Sequence, residues 1–327
     1  MKYQKAFLAK FPDQIEFALN NYDRHNLSID QFSHVVIGGL GGSGIAGRIA
    51  KSYFHGTSPV PIEIVSDYNL PAYVGEKSLV ILSSYSGNTE ETLSLYISAI
   101  EKHATVLVIT TGGLLQELAL EANIQIFEAE KGFQPRMALG YSLTFLVLIF
   151  SELLKQSLHN NIRSLMMHLK ETDVFITRAE KLFAKFKLDF ESGKCVINTD
   201  PAAFPIGLRF AQQLQENAKC EAFVHELPEA NHNVIESYYG ELNSNFVFID
   251  SCENQKVCNR FAFVKGLLQK NNNNVIDVNL LGFTLRDLYE IIYTLDWVSL
   301  MIADAKGVKS DDIANINALK EYLSTKS

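Results

Sequence analysis

The chain has 327 residues, 47% hydrophobic and 20% charged, which predicts about two domains of roughly 150 residues, each large enough to bury a core. The formal net charge of −8 argues against nucleic acid as the main partner, because phosphate backbones are bound by a surplus of Lys and Arg. A small anion needs only a local pocket of donors and stays open. Met1 to Lys10 is mixed and basic, without an apolar core segment, so no secretory signal is read there and a cytoplasmic location is expected. Cys195, Cys220, Cys252 and Cys258 form no C-x-x-C pair and read as reduced thiols.

Taken in chain order, the first half alternates short β-branched runs with segments of helical spacing. Val35–Ile37, Ile62–Val65, Leu79–Leu82, Val106–Ile109 and Ile124–Phe127 read as buried strands, and Thr89–Lys102 and Leu114–Glu121 as helices. Runs apolar throughout suit a parallel sheet covered on both faces. A long helical stretch follows, from Pro135 to about Phe186, with turn signals only near His159-Asn160-Asn161. Its greasiest part, Met137 to Phe150, is too short to cross a bilayer and reads as a core helix. Alternation then resumes. The strands are Cys195–Ile197, Ala222–Val224, Phe246–Ile249 and Val275–Val278, and the helices Ile206–Ala218, Lys256–Gln269, Leu285–Ala305 and Ile313–Leu323. The expected fold is α/β: two doubly wound domains, residues 1–155 and 156–327, each a parallel sheet flanked by helices.

Two turns in the first half carry chemistry. Gly38-Gly39-Leu40-Gly41-Gly42-Ser43-Gly44 follows a strand and opens a helix. Glycines there let the backbone approach a ligand, and the helix N-terminus offers unpaired N–H groups. Taken alone, the turn also fits a dinucleotide fingerprint, with Glu63 or Asp67 for the ribose, or a tight turn that only packs helix on strand. The second turn, Ser83-Ser84-Tyr85-Ser86-Gly87-Asn88-Thr89-Glu90-Glu91-Thr92, is dense in hydroxyls. A phosphate has only acceptor oxygens, so it takes several donors at once, and a helix dipole assists. The competing role is an N-cap by Ser86 or Thr89, which needs only one hydroxyl.

The S-Y-S-G-N-T-E-E-T run resembles the phosphosugar signature of SIS (sugar isomerase) domains, and the G-G-S-G turn resembles the first loop of that domain. The resemblance implies that Ser84, Ser86 and Thr89 hold a sugar's phosphate, with Gly41, Gly42 and Ser43 beside the sugar. It disfavours the dinucleotide reading.

An isomerase needs more than a phosphate cradle. Moving a carbonyl between C1 and C2 takes a base that shuttles a proton through a cis-enediol, a group that opens the sugar ring, and a cation for the enediolate. Glu216-Asn217-Ala218-Lys219, Pro228-Glu229-Ala230-Asn231-His232-Asn233 and Pro135-Arg136 with Ala138-Leu139-Gly140-Tyr141 resemble the bifunctional phosphoglucose/phosphomannose isomerases, a branch of the phosphoglucose isomerase superfamily. The likeness runs over nearly the whole chain, including Leu295-Asp296-Trp297-Val298-Ser299. It implies Glu216 as the C1–C2 base, His232 in ring opening, Arg136 at the enediolate and Lys320 facing the sugar. It also implies a homodimer in which His232 reaches across from a partner subunit. The substrate would be a hexose 6-phosphate, and no cofactor is called for, since only protons move. Each residue keeps a plainer alternative: an i,i+3 pair of Glu216 with Lys219, turn-making asparagines around His232, a surface ion pair for Arg136. His225, Glu226, Glu229 and His232 lack helical metal-ligand spacing and Pro228 interrupts them, so no metal is expected. The chain departs from the family at Arg48, Gln134 and Lys309-Ser310-Asp311-Asp312. A phosphosugar sensor without chemistry, or another SIS enzyme, are the rival readings.

Overall fold

The computed structural model describes residues 2–187, 193–251, 253–280 and 282–325. It forms two compact units, one of Ala9–Thr172 with Phe283–Tyr289, the other of Met1–Leu8, Asp173–Gly282 and Glu290–Ser327. Two short helices open the chain, α1 (Lys2–Ala9) and α2 (Phe11–Asn20). They were not expected from the sequence. In α2, Pro12 occupies the first turn, where a missing N–H is harmless, and Phe11, Ile15, Ala18 and Leu19 make a buried stripe.

The first sheet contains β1 (His34–Gly38), β2 (Ile62–Val65), β3 (Ser78–Ser84), β4 (Thr105–Thr110) and β5 (Ile126–Glu128), all parallel, in the order β2-β1-β3-β4-β5. Between the strands run α3 (Gly41–Phe54), α4 (Glu90–Glu101) and α5 (Gly113–Glu121). Alternation of side chains explains the unbroken apolar runs. Val36, Val80, Leu82, Val106 and Val108 pack with Leu95, Ala99, Leu115 and Ala119 of α4 and α5. Ile37 points the other way, toward Gly47 of α3, where even an added Cβ would come within 2.8 Å. Both faces are covered, which is the doubly wound arrangement.

The helical stretch after β5 is not continuous. A 3-10 turn (Pro135–Met137) leads into α6 (Leu139–Leu153), followed by α7 (His159–Leu169) and α8 (Thr172–Phe183). The break falls at Leu154–Leu158, before the His159–Asn161 signal, which instead opens α7. Lys155 takes φ +54°, and Ser151 closes the turn by donating its hydroxyl to the Gln156 carbonyl at 2.8 Å. No glycine or proline marks this break, so the sequence concealed it. In α6 every residue except Ser142 and Glu152 is buried, as expected of a core helix. No described helix is long and apolar enough to cross a membrane.

The second sheet contains β6 (Lys194–Thr199), β7 (Ala222–Glu226), β8 (Ser244–Asp250) and β9 (Asn274–Asn279), parallel in the order β7-β6-β8-β9. The helices of this part are α9 (Phe204–Ala218), α10 (Gln255–Lys270), α11 (Leu285–Ala305) and α12 (Ala314–Ser324). Phe246 and Phe248 pack with Phe261, Val264 and Leu268 of α10. Ile197 and Thr199 meet Gly207 of α9 on the opposite face. Cys195, Cys220 and Cys258 are free thiols. Cys252 lies outside the described residues.

Candidate active site

In an open parallel sheet, ligands bind beyond the carboxyl ends of the strands where the strand order reverses. In the first sheet that point lies between β1 and β3. The loops leaving these two strands are Gly39–Ser43 and Tyr85–Thr89, so topology brings both sequence-identified turns together. Ser43 sits in the first turn of α3, and its hydroxyl accepts the Tyr85 N–H at 3.3 Å.

The hydroxyl loop is arranged to donate. Ser84 Oγ accepts the Gly87 N–H at 3.2 Å and lies 2.9 Å from Thr89 Oγ1. Ser86 Oγ accepts the Asn88 N–H at 3.3 Å. Each serine thus accepts a loop N–H, and one proton of the Ser84–Thr89 pair is shared between those two hydroxyls. Thr89 holds the N-cap position of α4 but makes no side-chain cap bond, against the capping role. Gly87 is required by shape: its φ is +68°, and a Cβ would fall 1.7 Å from the Gly112 carbonyl oxygen.

The glycine turn is close to the chain itself. A Cβ on Gly42 would meet the Pro135 carbonyl oxygen at 2.6 Å and Arg136 Cα at 3.5 Å. Arg136, buried at 4% exposure, therefore lies on a segment pressed against the first turn of α3. Gln14 holds the other side of that segment, donating to the Met137 carbonyl at 2.7 Å and accepting from Gly140 N–H at 2.9 Å. Gln14, a fully buried amide in a helix not foreseen, carries no signal in the residue spacing. Between these parts lies a small cavity lined by Ser43, Ser83, Tyr85, Thr110, Pro135 and Tyr141. Burial and the bond to Glu130 raise the Tyr141 phenol far above its usual range.

In the other unit, Glu216 is half-buried in the last turn of α9. Lys219, at φ +51°, donates its ammonium to the Asp312 carbonyl at 2.7 Å and to the Glu216 carbonyl at 2.5 Å. A lysine reaching helix-terminal carbonyls is C-terminal capping. Asp312 in turn accepts the Ala314 N–H at 3.0 Å at the start of α12, so the last residue of the Lys309–Asp312 departure ties that helix to the end of α9. Helix α9 is fixed to α11 by a buried pair, Arg209 with Asp296 at 2.8 Å, and by Asn217 donating to Ser299 at 3.0 Å. The Asp296 carboxyl is pushed up by burial and pulled back by Arg209. The E-N-A-K and L-D-W-V-S motifs thus meet as one brace beneath Glu216, a pairing not read from the sequence.

His232 closes a 3-10 turn (Glu229–His232) and is exposed. The flanking asparagines do make turns, since Asn233 accepts the Val234 N–H at 2.6 Å. Lys320 lies on α12, where every residue is exposed. Arg48 is half-buried on α3. Among the described residues no group of three or more His, Cys, Asp or Glu side chains is placed to hold a metal.

Residues 28–151 match the SIS domain family, and residues 184–323 match the bacterial phospho-glucose isomerase C-terminal SIS domain family. The chain is 31% identical over 326 residues to the bifunctional phosphoglucose/phosphomannose isomerase of Aquifex aeolicus, covering 94% of this chain and 97% of that one. It is 34% identical over 212 residues to a D-glucosamine-6-phosphate 4-epimerase of Sulfolobus acidocaldarius, covering 64% and 65% of the two chains. The same fold is seen in the C-terminal domain of glucosamine-fructose-6-phosphate aminotransferase from Francisella tularensis, with a TM-score of 0.71, 17% identity, and 95% and 98% coverage.

Proposed function

Because this chain belongs to the bifunctional phosphoglucose/phosphomannose isomerase family, we propose that it interconverts glucose-6-phosphate and mannose-6-phosphate with fructose-6-phosphate. Both aldoses differ only at C2 and lead to one cis-enediol, so one base serves both. Full-length similarity to such enzymes carries this reading, and the clustering of the Ser84, Ser86 and Thr89 hydroxyls in one loop supports its phosphate end.

In this reading residues 1–155 supply phosphate and sugar binding, and residues 156–327 the base. Ser84, Ser86 and Thr89 donate to the phosphate, with Gly41, Gly42 and Ser43 beside the sugar. Glu216 carries the proton between C1 and C2. His232 moves protons during ring opening, contributed across a homodimer interface. Arg136 balances the charge of the enediolate, and Lys320 faces the sugar. No cofactor or metal enters a reaction in which only protons move. The enzyme works in the cytoplasm.

The test is a coupled assay for fructose-6-phosphate from each aldose separately, with and without EDTA. Turnover of both, untouched by EDTA, is the expected result. Turnover of one aldose alone removes dual specificity. A second reading, epimerisation of an amino-sugar phosphate, is favoured by the 34% identity to the Sulfolobus enzyme. Inversion at C4 of glucosamine-6-phosphate with neither aldose turned over would establish it. Binding of phosphosugars with no turnover at all would mark a sensor.

A further inference from the structure

Tyr85 stands in the middle of the hydroxyl loop, between Ser84 and Ser86, and its bonds reach three segments. Its N–H goes to Ser43 at the start of α3. Its carbonyl accepts the Thr111 N–H at 3.1 Å and the Thr111 hydroxyl at 2.7 Å, at the end of β4. Its own hydroxyl donates to the Glu130 carbonyl at 2.7 Å and accepts the Phe133 N–H at 3.1 Å. Those last two bonds hold the segment that runs directly into Gln134-Pro135-Arg136. Tyr141 adds a second strut, donating to the Glu130 carboxylate at 2.5 Å. Downstream, Gln14 grips Met137 and Gly140. Arg136 is thereby held from both sides along the chain, and the upstream hold originates in the loop that faces the phosphate.

We propose that Tyr85 is a positioning residue that uses its phenolic hydroxyl to set the Arg136 segment from within the phosphate loop. The inference rests on the isomerase reading and on the role given there to Arg136. A ring hydroxyl that both donates and accepts fixes two backbone groups with one atom. Phenylalanine would fill the same space and fix neither. The phosphate hydroxyls of Ser84 and Ser86 do not bond to this phenol, so its loss acts on the reacting end of the sugar rather than on phosphate affinity. Misplacement of a charge-stabilising group by an ångström costs on the order of 10²-fold in rate.

The experiment is a double-mutant cycle of Tyr85→Phe and Arg136→Ala, measured as kcat and KM for glucose-6-phosphate, together with the Kd of inorganic phosphate. Expected for Tyr85→Phe is a kcat lowered about 10- to 100-fold, with KM and phosphate Kd within about twofold of the native protein. In the Arg136→Ala background the same change has no further effect, because the residue it positions is gone. Equal fractional losses in both backgrounds overturn the inference, as does a raised KM or phosphate Kd with kcat intact. An Arg136→Ala protein that turns over at the native rate overturns the assigned role of Arg136 and the inference with it.

Discussion

The two sheets reverse strand order at equivalent places, and the two crevices are finished differently. At the end of β1 and β3, the hydroxyls of Ser84, Ser86 and Thr89 cluster in one loop. At the end of β6 and β8, the chain supplies the anion itself. Asp200 accepts the Ala203 N–H at 2.7 Å, just before α9, and the Ser251 N–H at 2.9 Å, and it is also bonded to the Ser251 hydroxyl. Asp200 and Ser251 are both buried. The donors that would greet a phosphate are already engaged by a carboxylate. On the proposed reading, one architecture yields an open anion site in one domain and a filled one in the other, and the choice is made by single side chains.

The comparison can be broken at several points. Glu216→Gln should lower kcat by about 10³-fold for both aldoses while binding persists, since general-base catalysis contributes 10²–10⁴. Native-like turnover in the coupled assay would remove chemistry from the second domain. Asp296→Ala should cost about 3–5 kcal/mol of stability by stranding a buried guanidinium, seen in urea unfolding. An unchanged midpoint would mean that the brace beneath Glu216 is not energetic. Ser86→Ala should raise KM about tenfold, the loss expected of one hydrogen bond to a charged group, with little change in Tm. Asp200→Asn should do the reverse, lowering Tm while KM stays within about twofold. A KM that follows Asp200 rather than Ser86 would invert the assignment of open and filled sites.

The smallest effect is in pH. Burial lowers the pKa of His25 from 6.5. Its Nδ1 accepts the Leu27 N–H at 3.0 Å while Nε2 lies 3.2 Å from the Ile149 carbonyl, a pattern only the neutral ring satisfies. The unfolded chain therefore takes up the proton first, and stability present above 6.5 is lost as pH falls below it. His34 and His225 are shifted the same way by burial. His25→Gln should shallow the loss between pH 7 and pH 5.5, and an unaltered slope would assign it to the other two.

How much of this was legible follows from what each feature needs. The strands were readable mainly through their central members, whose middles, such as Val35–Ile37, Leu79–Leu82 and Phe246–Ile249, are buried and apolar at every position. The hydroxyl loop was readable because three donors exceed what a cap requires. The α6–α7 break was not, since it rests on a left-handed lysine and a serine two residues before the end of α6. Gln14, the Tyr85 phenol and the Arg209–Asp296 brace escaped because each is a long-range pairing of common residue types. Sequence spacing carries no signal for partners more than 40 positions apart. Asn217 was visible as part of a motif, but its use, bonding Ser299, was not.

Helix α6 has a consequence for the life of the chain before it is folded. Almost all of its surface is apolar and is covered in the finished protein by elements made earlier, among them α2 and α3. During synthesis the first sheet can emerge strand by strand, yet the layer on its α3 side stays incomplete until Leu153 has left the ribosome. A nascent chain stalled between Glu128 and Leu153 would present greasy helix and bare sheet together, the species that chaperones bind and that clumps when they are scarce. An expression fragment of the first domain should accordingly end beyond Leu153, and one cut after β5 should be recovered in the pellet.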